Sequence, residues 1–309
     1  MFFTAFRRLF RREPSPQLHT SDLVRDLGRI ESFPTLSHVT VRAMALTNDP
    51  KATLADVAEL IRHDPVLSVG VLKVANSAAN RGRRASENVQ QATVRLGMRR
   101  CQQVIATVGV RGVFKYTSPL AELMCETLLR HSLFTANIAS RLNAAGELGF
   151  RGEEFTAGLL HDIGRVIMCV RAPAAFASLD PLTFQEDGGV LARERDAIKF
   201  DHCEIGVRFA RANQLPATVT NAILNHHYPQ AEREFPVLVA LAAVADGIAN
   251  HAQRERKLTN YRPEKCPGFI RLLANVGPEK TRAVRAAVSR AVVDSLRETR
   301  AMLKLTATM

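Results

Sequence analysis

The sequence predicts an all-α protein with a two-lobed helical architecture, and three observations support this prediction. Apolar residues recur at helical spacing through nearly every segment of the 309-residue chain. Alanine and arginine are abundant, whereas aromatic residues make up 6% and tryptophan is absent. Hairpin dipeptides between alternating runs, G-x-G-x-x-G motifs and P-loops are all missing. The core is therefore expected to consist of aliphatic side chains on packed helices.

The first twelve residues predict a short amphipathic helix, which the letters EPSP then end. Phe3, Phe6 and Phe10 lie at helical spacing, and arginines crowd the remaining positions. Two interpretations stay open: a membrane-surface or partner-docking helix, and a helix that packs on its own domain or frays. A secretory signal is not expected, because the apolar run is short, arginines interrupt it and no A-x-A site follows.

Four regions are expected along the chain. Residues 1–20 form a basic amphipathic segment, residues 21–115 an N-terminal helical lobe, residues 116–255 a second helical lobe, and residues 256–309 a loop with a C-terminal helix. The division between the lobes is expected near residue 115, after which a long helical stretch begins.

Capping signals mark the helices of the first lobe. Thr53 is placed to cap one helix, and Asp64 with Pro65 supplies the next with a capping side chain and a preset first turn. The polar stretch 79–88 indicates a loop, and Gly97 is expected to join two further helices.

The second lobe carries longer helical patterns. One long helix is expected to end at Gly146, a single helix to span residues 152–170, and a strongly apolar helix to lead to Asp246. Residues 255–277 contain two prolines and two glycines and predict a loop. An amphipathic helix closes the chain.

The chain is strongly basic, with a net charge of +12 and a pI near 10.1. Such a surface attracts nucleic acid, acidic lipid, anionic nucleotides or an acidic partner, and the alternative is a basic protein without any such partner. Five arginines are candidates for an anion-binding patch, with a solvated basic loop as the alternative. They are Arg81, Arg83, Arg84, Arg99 and Arg100.

The five cysteines are dispersed and never form C-x-x-C, which predicts free thiols in a reducing compartment. No apolar stretch approaches the length of a transmembrane segment. A cytoplasmic location is therefore expected.

Ionisable residues interrupt the apolar helices of the second half. They are His131, His161, Asp162, His202, His226, His227 and Asp246. Burying one such group unpaired costs several kcal/mol, so these groups are expected to meet one another or an ion. Histidine and carboxylate together suit a divalent metal, with Zn, Fe, Mn and Mg as the candidates. The alternative is a set of buried polar residues that satisfy one another.

A histidine on one helix, H-D on the next and an aspartate on a later helix resemble the HD superfamily of metal-dependent phosphohydrolases. His131, His161, Asp162 and Asp246 match the four residues that bind the metal in that superfamily. His202, His226 and His227 fall where its two-metal and three-metal members carry further ligands. The resemblance thus implies one metal site with additional ligands beside it.

Further motifs resemble the HDOD domain, the HD-related output domain of bacterial signalling proteins. The match begins at FPTLSHVTVRAMALTNDP, continues through ATVRLGMRRCQQVIA, RHSLFTANIASRL and AGLLHDIGRVIM, and ends at DHCEIGVRFARANQLPATVTNAILNHH, covering roughly residues 22–250. It implies a helical N-terminal lobe, an HD-like second lobe, and a non-catalytic output or interaction role. Such domains often serve cyclic-di-GMP, motility or stress circuits.

Two departures separate the chain from the related cyclic-di-GMP phosphodiesterases. The paired histidines are followed by YPQAEREFP, without the G-Y-P of those enzymes. Arg165 stands where they usually place lysine, which keeps the charge but changes its geometry. Arg165 and His202 are nevertheless candidates to face an anionic ligand, and Asp162 to link a metal with a water molecule.

Three functional hypotheses follow. The leading one is a stand-alone signalling module that binds a protein partner or an anionic ligand such as a nucleotide. The alternative is a metal-dependent phosphohydrolase acting on a nucleotide or cyclic dinucleotide, with Asp162 and Arg165 as candidate catalytic residues. The third, nucleic-acid binding, depends only on the basic charge and is the weakest.

Overall fold

A computed structural model describes residues 33–78, 80, 84–116, 118–185, 189–256, 258 and 260–306 of the chain. Every regular element in these ranges is helical, and the described residues contain no strand. This confirms the predicted all-α class. None of the described helices is long and apolar enough to cross a membrane. The predicted helix at residues 1–12 lies outside the described residues and stays a prediction.

Five helices form the first half of the described chain. They are α1 (His38–Asn48), α2 (Leu54–Ile61), α3 (Pro65–Ala75), α4 (Val89–Leu96) and α5 (Met98–Val113). Thr53 caps α2 in a reciprocal capping box with Asp56, and Asp64 accepts two amide hydrogen bonds at the start of α3. Gly97 joins α4 to α5 with a φ of 74°, a conformation that favours glycine. The helix starts predicted from capping residues are therefore confirmed.

The second half contains nine further α-helices among the described residues. They are α6 (Pro119–Gly146), α7 (Glu153–Leu160), α8 (Ile163–Arg171), α9 (Pro173–Leu179), α10 (Val190–Ile198), α11 (His202–Ala212), α12 (Ala217–Asn225), α13 (Pro236–Glu255) and α14 (Pro267–Thr306). Single 3₁₀ turns at Pro229–Ala231 and Pro263–Lys265 precede α13 and α14. Helix α6 ends at Gly146, as the sequence predicted.

The single helix predicted over residues 152–170 was wrong, because the chain breaks at His161 and Asp162. Helix α7 ends at Leu160 and α8 begins at Ile163. Asp162 has a non-helical ψ of 17°, and its carbonyl accepts from the amide of Arg165 three residues later. Nearly every residue of the two helices is buried, so the apolar pattern has no interruption that would have revealed this break in the sequence.

The loop predicted over residues 255–277 was also partly wrong, since α14 begins at Pro267. Proline fits the first helical turn, and the buried side chains of Phe269 and Leu272 hold this segment on the core. The helix kinks at Gly277, whose φ is 81°, with Pro278 directly after it. The prolines and glycines therefore mark a helix start and a kink.

Two large hydrophobic clusters meet at α6. The first joins residues of the N-terminal half to α6–α12, and the second joins α6 to α13 and α14. Leu133 belongs to the first cluster and the adjacent Phe134 to the second. Because α6 is covered on both sides, a polar residue on its inner turns has no access to water. The lobe division near residue 115 stays a prediction, since the first cluster extends across it.

Replacing Gly164 by alanine is expected to destabilise the fold by about 2 kcal/mol or more. The added Cβ would lie 1.9 Å from the backbone carbonyl oxygen of His202, and a backbone atom cannot move aside like a flexible side chain. Urea denaturation followed by circular dichroism measures the change in the free energy of unfolding.

Gly112→Ala is the matched control for this substitution. Gly112 lies in α5, and nothing lies within 4 Å of an added Cβ there. Alanine should therefore stabilise the protein slightly, by about 0.5 kcal/mol. Equal effects of the two substitutions would contradict the close approach of α8 to the start of α11.

Candidate metal centre

The structure brings all seven predicted ligand residues together in the core formed by the second half of the chain. His131 lies in the middle of α6, and Asp246 lies in α13. The helix break between α7 and α8 carries His161 and Asp162. His202 begins α11, and the pair at 226 and 227 follows α12. All of these side chains except the half-buried His227 are buried.

Four of these residues form a first donor group. The Nε2 atom of His131 lies 3.0 Å from Asp246 Oδ1 and 3.9 Å from Asp162 Oδ2. The Nε2 atom of His161 lies 3.4 Å from Asp246 Oδ1 and 3.6 Å from Asp162 Oδ2. Ligand bonds of about 2.0–2.2 Å place neighbouring donors roughly 3–3.5 Å apart. The group thus has close to the spacing of a metal site, slightly expanded at Asp162.

The other oxygen of Asp162 faces a second donor group. Asp162 Oδ1 lies 3.4 Å from His202 Nε2 and 3.6 Å from His226 Nε2. His227 completes this group, because its Nε2 atom is 3.0 Å from that of His202. One carboxylate therefore lies between two sets of imidazoles, one on each oxygen.

Hydrogen bonds on the outer side of the rings orient four of the five histidines. In each, Nδ1 meets an oxygen that can only accept, so Nδ1 carries the proton as donor. The pairs are His131 with Gln253 Oε1 (2.6 Å), His161 with the Gly158 carbonyl (2.8 Å), His202 with Glu194 Oε2 (2.8 Å) and His226 with the Ile223 carbonyl (2.9 Å). In the neutral ring this leaves the Nε2 lone pair directed at the donor groups, as metal ligation requires.

Three buried atoms at the centre have no hydrogen-bond partner within the described part of the chain. They are His161 Nε2, Asp162 Oδ1 and His226 Nε2. Leaving one such group unsatisfied costs about 1–3 kcal/mol, and more when it is charged. A divalent cation would satisfy all three at once. The residues present therefore fit a metal, and their imidazole-rich set suits Zn or Fe better than Mg.

Both carboxylates stay ionised. Burial alone would raise the pKa of Asp162, but the charges of Arg165 and His161 outweigh it and hold this pKa well below its usual range. Burial also opposes ionisation of Asp246, but the hydrogen bond from His131 and the nearby ring of His161 outweigh it, so this pKa is lowered too. Two permanent negative charges in a dry core require positive charge beside them.

Without a metal, protons supply part of that positive charge. Burial lowers the pKa of His131, but the hydrogen bond and charge of Asp246 outweigh it, and the net effect is a rise. Burial is likewise outweighed at His202 by the charges of Cys203 and Glu194, which raises its pKa well above the usual value. The pKa of His226 rises similarly. A cation entering the site must displace these protons.

Arg165 lies in an internal ion pair. Its guanidinium donates to Asp162 Oδ2 at 2.8 Å and to Asp180 through two of its nitrogens, and the residue is 2% exposed. The sequence expectation placed this charge toward an anionic ligand. The structure instead places it between two carboxylates, where it orients Asp162 and is itself neutralised.

The structure adds residues that the sequence analysis missed. Glu194, which orients His202, lies on α10 between the buried Leu191 and Ile198. An acidic residue at an apolar helical position was the signal that could have revealed it. Cys203 Sγ lies 4.0 Å from His226 Nδ1 and belongs to a potential metal-ligand group with the three later histidines. The sequence analysis had predicted only a free thiol for this cysteine.

The expected patch of anion-binding arginines stays a prediction. Arg99 pairs with Glu154 at 2.6 Å, and Arg100 pairs with Glu298. Arg84 is exposed, and its carbonyl accepts from a different arginine. Arg81 and Arg83 lie outside the described residues. Two of the five arginines therefore already have an acidic partner, on α7 for Arg99 and on α14 for Arg100.

A family model of the HDOD domain matches residues 33–229, which is more than half of the chain. The matched range includes the helix break, the second donor group and His131, whereas Asp246 follows it.

Two relatives of known sequence are similar to parts of the chain. An uncharacterized protein of Treponema pallidum is 26% identical over 269 residues, covering 84% of this chain and 52% of that protein. The chain therefore spans about half the length of that relative. Ribonuclease Y of Latilactobacillus sakei is 35% identical over 141 residues, 44% of this chain and 21% of the enzyme.

A solved HDOD domain protein of unknown function from Geobacter sulfurreducens has the same fold. The superposition gives a TM-score of 0.71 at 23% identity and covers 91% of this chain and 97% of the other. At this identity the likeness establishes the fold alone.

Protein purified without chelator is expected to contain a divalent metal, measured by inductively coupled plasma mass spectrometry. His161→Ala and Asp246→Asn should each lower the metal content at least about tenfold, since each removes a donor from a buried set. His63→Ala is the control, because this side chain is 66% exposed and far along the chain from the site. Wild-type protein that stays metal-free after dialysis against Zn, Fe and Mn would contradict the assignment.

Metal binding is expected to release protons and to weaken as the solution is acidified. His131, His202 and His226 have pKa values raised above 6.5, so near neutral pH they hold protons that the metal displaces. Affinity should therefore rise with pH from 6.5 upward. Calorimetry in buffers of different ionisation enthalpy measures the protons released, and an affinity that does not depend on pH would exclude this competition.

Proposed function

The chain belongs to the HDOD domain family, and from this membership we propose that it is a metal-binding signalling module. It acts by binding a partner and does not turn over a substrate. The partner class is a signalling protein, with an anionic nucleotide as the alternative ligand, and the proposed location is the cytoplasm. Binding of nucleic acid is a weaker proposal that depends on the net charge of +12.

Enclosure of the donor groups is the observation that carries this proposal. Six of the seven donor residues are between 0% and 6% exposed, and His227 is half-buried. A catalytic metal site needs a coordination position that substrate can reach. Phe184 further covers the donor groups. Its ring stacks on the His131 ring with the two centroids 5.1 Å apart, and the residue is 6% exposed.

The state of Arg165 supports the same proposal. Phosphoryl groups are stabilised in active sites by cations that face the substrate. Here Asp162 and Asp180 already neutralise the guanidinium, which is buried between them. Using this charge on a phosphate would require breaking a buried ion pair, which is strongly unfavourable.

A structural role for the metal follows from the positions of its ligands. His131, His161, Asp162 and Asp246 would hold one cation, and Asp162 with His202, His226 and His227 a second. A cation bound there supplies positive charge between carboxylates and joins α6, α11, α13 and the break between α7 and α8. The module's helices would then be held in one arrangement for partner binding.

A metal-dependent phosphohydrolase is the second candidate, and the donor set favours it. Three unsatisfied buried atoms and a carboxylate shared by two donor groups are features that an active two-metal site would need. Bound metal would polarise a phosphoryl oxygen and lower the pKa of a water molecule. In that enzyme Asp162 would bind a metal ion in each of the two donor groups. The similarity of this chain to ribonuclease Y adds RNA to the candidate phosphodiester substrates.

Wild-type protein loaded with Zn, Fe or Mn is expected to show no turnover above the metal-only background. The substrates are bis(4-nitrophenyl) phosphate, cyclic di-GMP, nucleoside triphosphates and a short RNA, and product release is followed by absorbance and chromatography. If activity is seen, two variants show whether it comes from the metal centre or from a contaminating enzyme. Asp162→Asn removes the shared carboxylate, and Asp196→Asn on α10 changes an exposed aspartate in the same way.

Turnover that disappears in Asp162→Asn and persists in Asp196→Asn would replace the binding module with the phosphohydrolase. Activity that is equal in both variants would indicate a contaminating enzyme, and in that case the proposed module stands.

A further inference from the structure

A cavity of about 630 Å³ lies beside the metal centre, between α6, the end of α13 and the second half of α14. Gln253 and Phe184 line it, and both also contact His131, one through Nδ1 and the other through its ring. The cavity therefore adjoins the outer side of a metal-ligand residue. Its size is that of a pocket for a small organic molecule.

The walls of this cavity are apolar and its edge is basic. The apolar side chains are Leu123, Phe134, Leu182, Phe184, Leu296 and Leu303. The cationic side chains are Arg130, Arg256, Arg300 and Lys304. Among the described residues that line it, none is acidic. A ligand with an apolar body and a negatively charged head group would complement these apolar walls and cationic edge.

The three uncharged polar side chains of the lining already have internal partners. Thr127 Oγ1 donates to the Leu123 carbonyl at 2.8 Å, and Thr299 Oγ1 accepts from Asn137 at 3.0 Å. Gln253 Oε1 accepts from His131. A nucleobase is recognised through several hydrogen bonds, which these engaged groups are poorly able to supply. An aliphatic chain requires none.

The backbone at one wall adopts an uncommon conformation that exposes apolar groups to the cavity. Leu182 and Phe184 have φ values of 51° and 56°, in the left-handed region that residues with a Cβ rarely adopt. The Leu182 amide donates to Asp180 Oδ1 at 2.8 Å, which holds this segment in place. Conformations of this kind concentrate at binding sites, where the surroundings maintain them.

We propose that this cavity binds an amphipathic aliphatic carboxylate, a free fatty acid of medium chain length. The aliphatic chain contacts Phe134, Leu296 and Leu303. The carboxylate lies at Arg300 and Lys304, which are one helical turn apart on α14 and therefore share a face. The proposal does not depend on a metal, because Phe134, Leu296, Leu303 and the two α14 cations do not belong to the donor groups.

Calorimetric titration of the full chain with dodecanoate tests this proposal, in metal-loaded and in chelator-treated protein. Saturable binding of one equivalent is expected in both. Arg300→Glu combined with Lys304→Glu should weaken it by about tenfold or more, since charged hydrogen bonds to the head group are replaced by repulsion. Thr127→Phe, which fills the cavity without changing charge, should also weaken it.

Arg290→Glu with Arg297→Glu is the matched control. It makes the same charge change on exposed positions of the same helix that do not line the cavity, so dodecanoate binding should be unchanged. Dodecanol and AMP serve as comparison ligands and are expected to bind at least about tenfold more weakly.

Each of several outcomes would overturn the proposal. They are no saturable binding of dodecanoate, equal weakening in the matched control, unchanged binding in Thr127→Phe, and preferential binding of AMP. Binding only to phospholipid vesicles, with no binding of the free acid, would also reject it in favour of a membrane surface. Failure of metal binding would leave each of these readouts unaffected.

Discussion

The burial of one carboxylate, Asp162, constrains all the helices that pack around it. An ionised aspartate that is 1% exposed is tolerable only if positive charge and hydrogen-bond donors surround it. Three sequence regions far apart supply them: His131 from α6, His202 from α11 and His226 after α12. Arg165, one turn along α8, adds the nearest permanent charge. The helices must therefore pack so that these side chains surround Asp162, because only this packing compensates the charge of its carboxylate.

The surrounding contacts prepare the site for a cation and at the same time close it. Backbone carbonyls, Glu194 and Gln253 fix the Nδ1 protons of four imidazoles, so little reorganisation is needed when metal binds. The same close packing leaves the donors buried and pairs Arg165 with Asp180. Affinity for metal and access for substrate are thus opposed here, and this opposition is the reason that we propose a structural role for the metal.

Basic charge is distributed differently from what the composition alone implies. Arg99 and Arg100 connect α5 to acidic residues of α7 and α14, so part of the excess charge holds the helices together. Other cations, on α6 and α14 and directly after α13, border the cavity beside His131. Gln253 and Phe184 contact both this cavity and His131, so the cavity and the donor groups share two neighbouring residues.

The sequence by itself determined the all-α class, several helix starts and the residues of the donor groups. Helical periodicity and caps such as Thr53 and Asp64 are local signals that neighbouring residues suffice to specify. Histidines and aspartates within apolar helices were recognisable because burial of isolated charge is so costly. Only the tertiary structure decided the helix break at Asp162, the pairing of Arg165 with Asp180, the internal ion pairs of Arg99 and Arg100, and the basic cavity. Each of these depends on which helices pack against one another, and residues up to 198 positions apart meet in such contacts. A pattern with a period of 3.6 residues specifies which face of a helix is buried, but it does not specify the partner that covers that face.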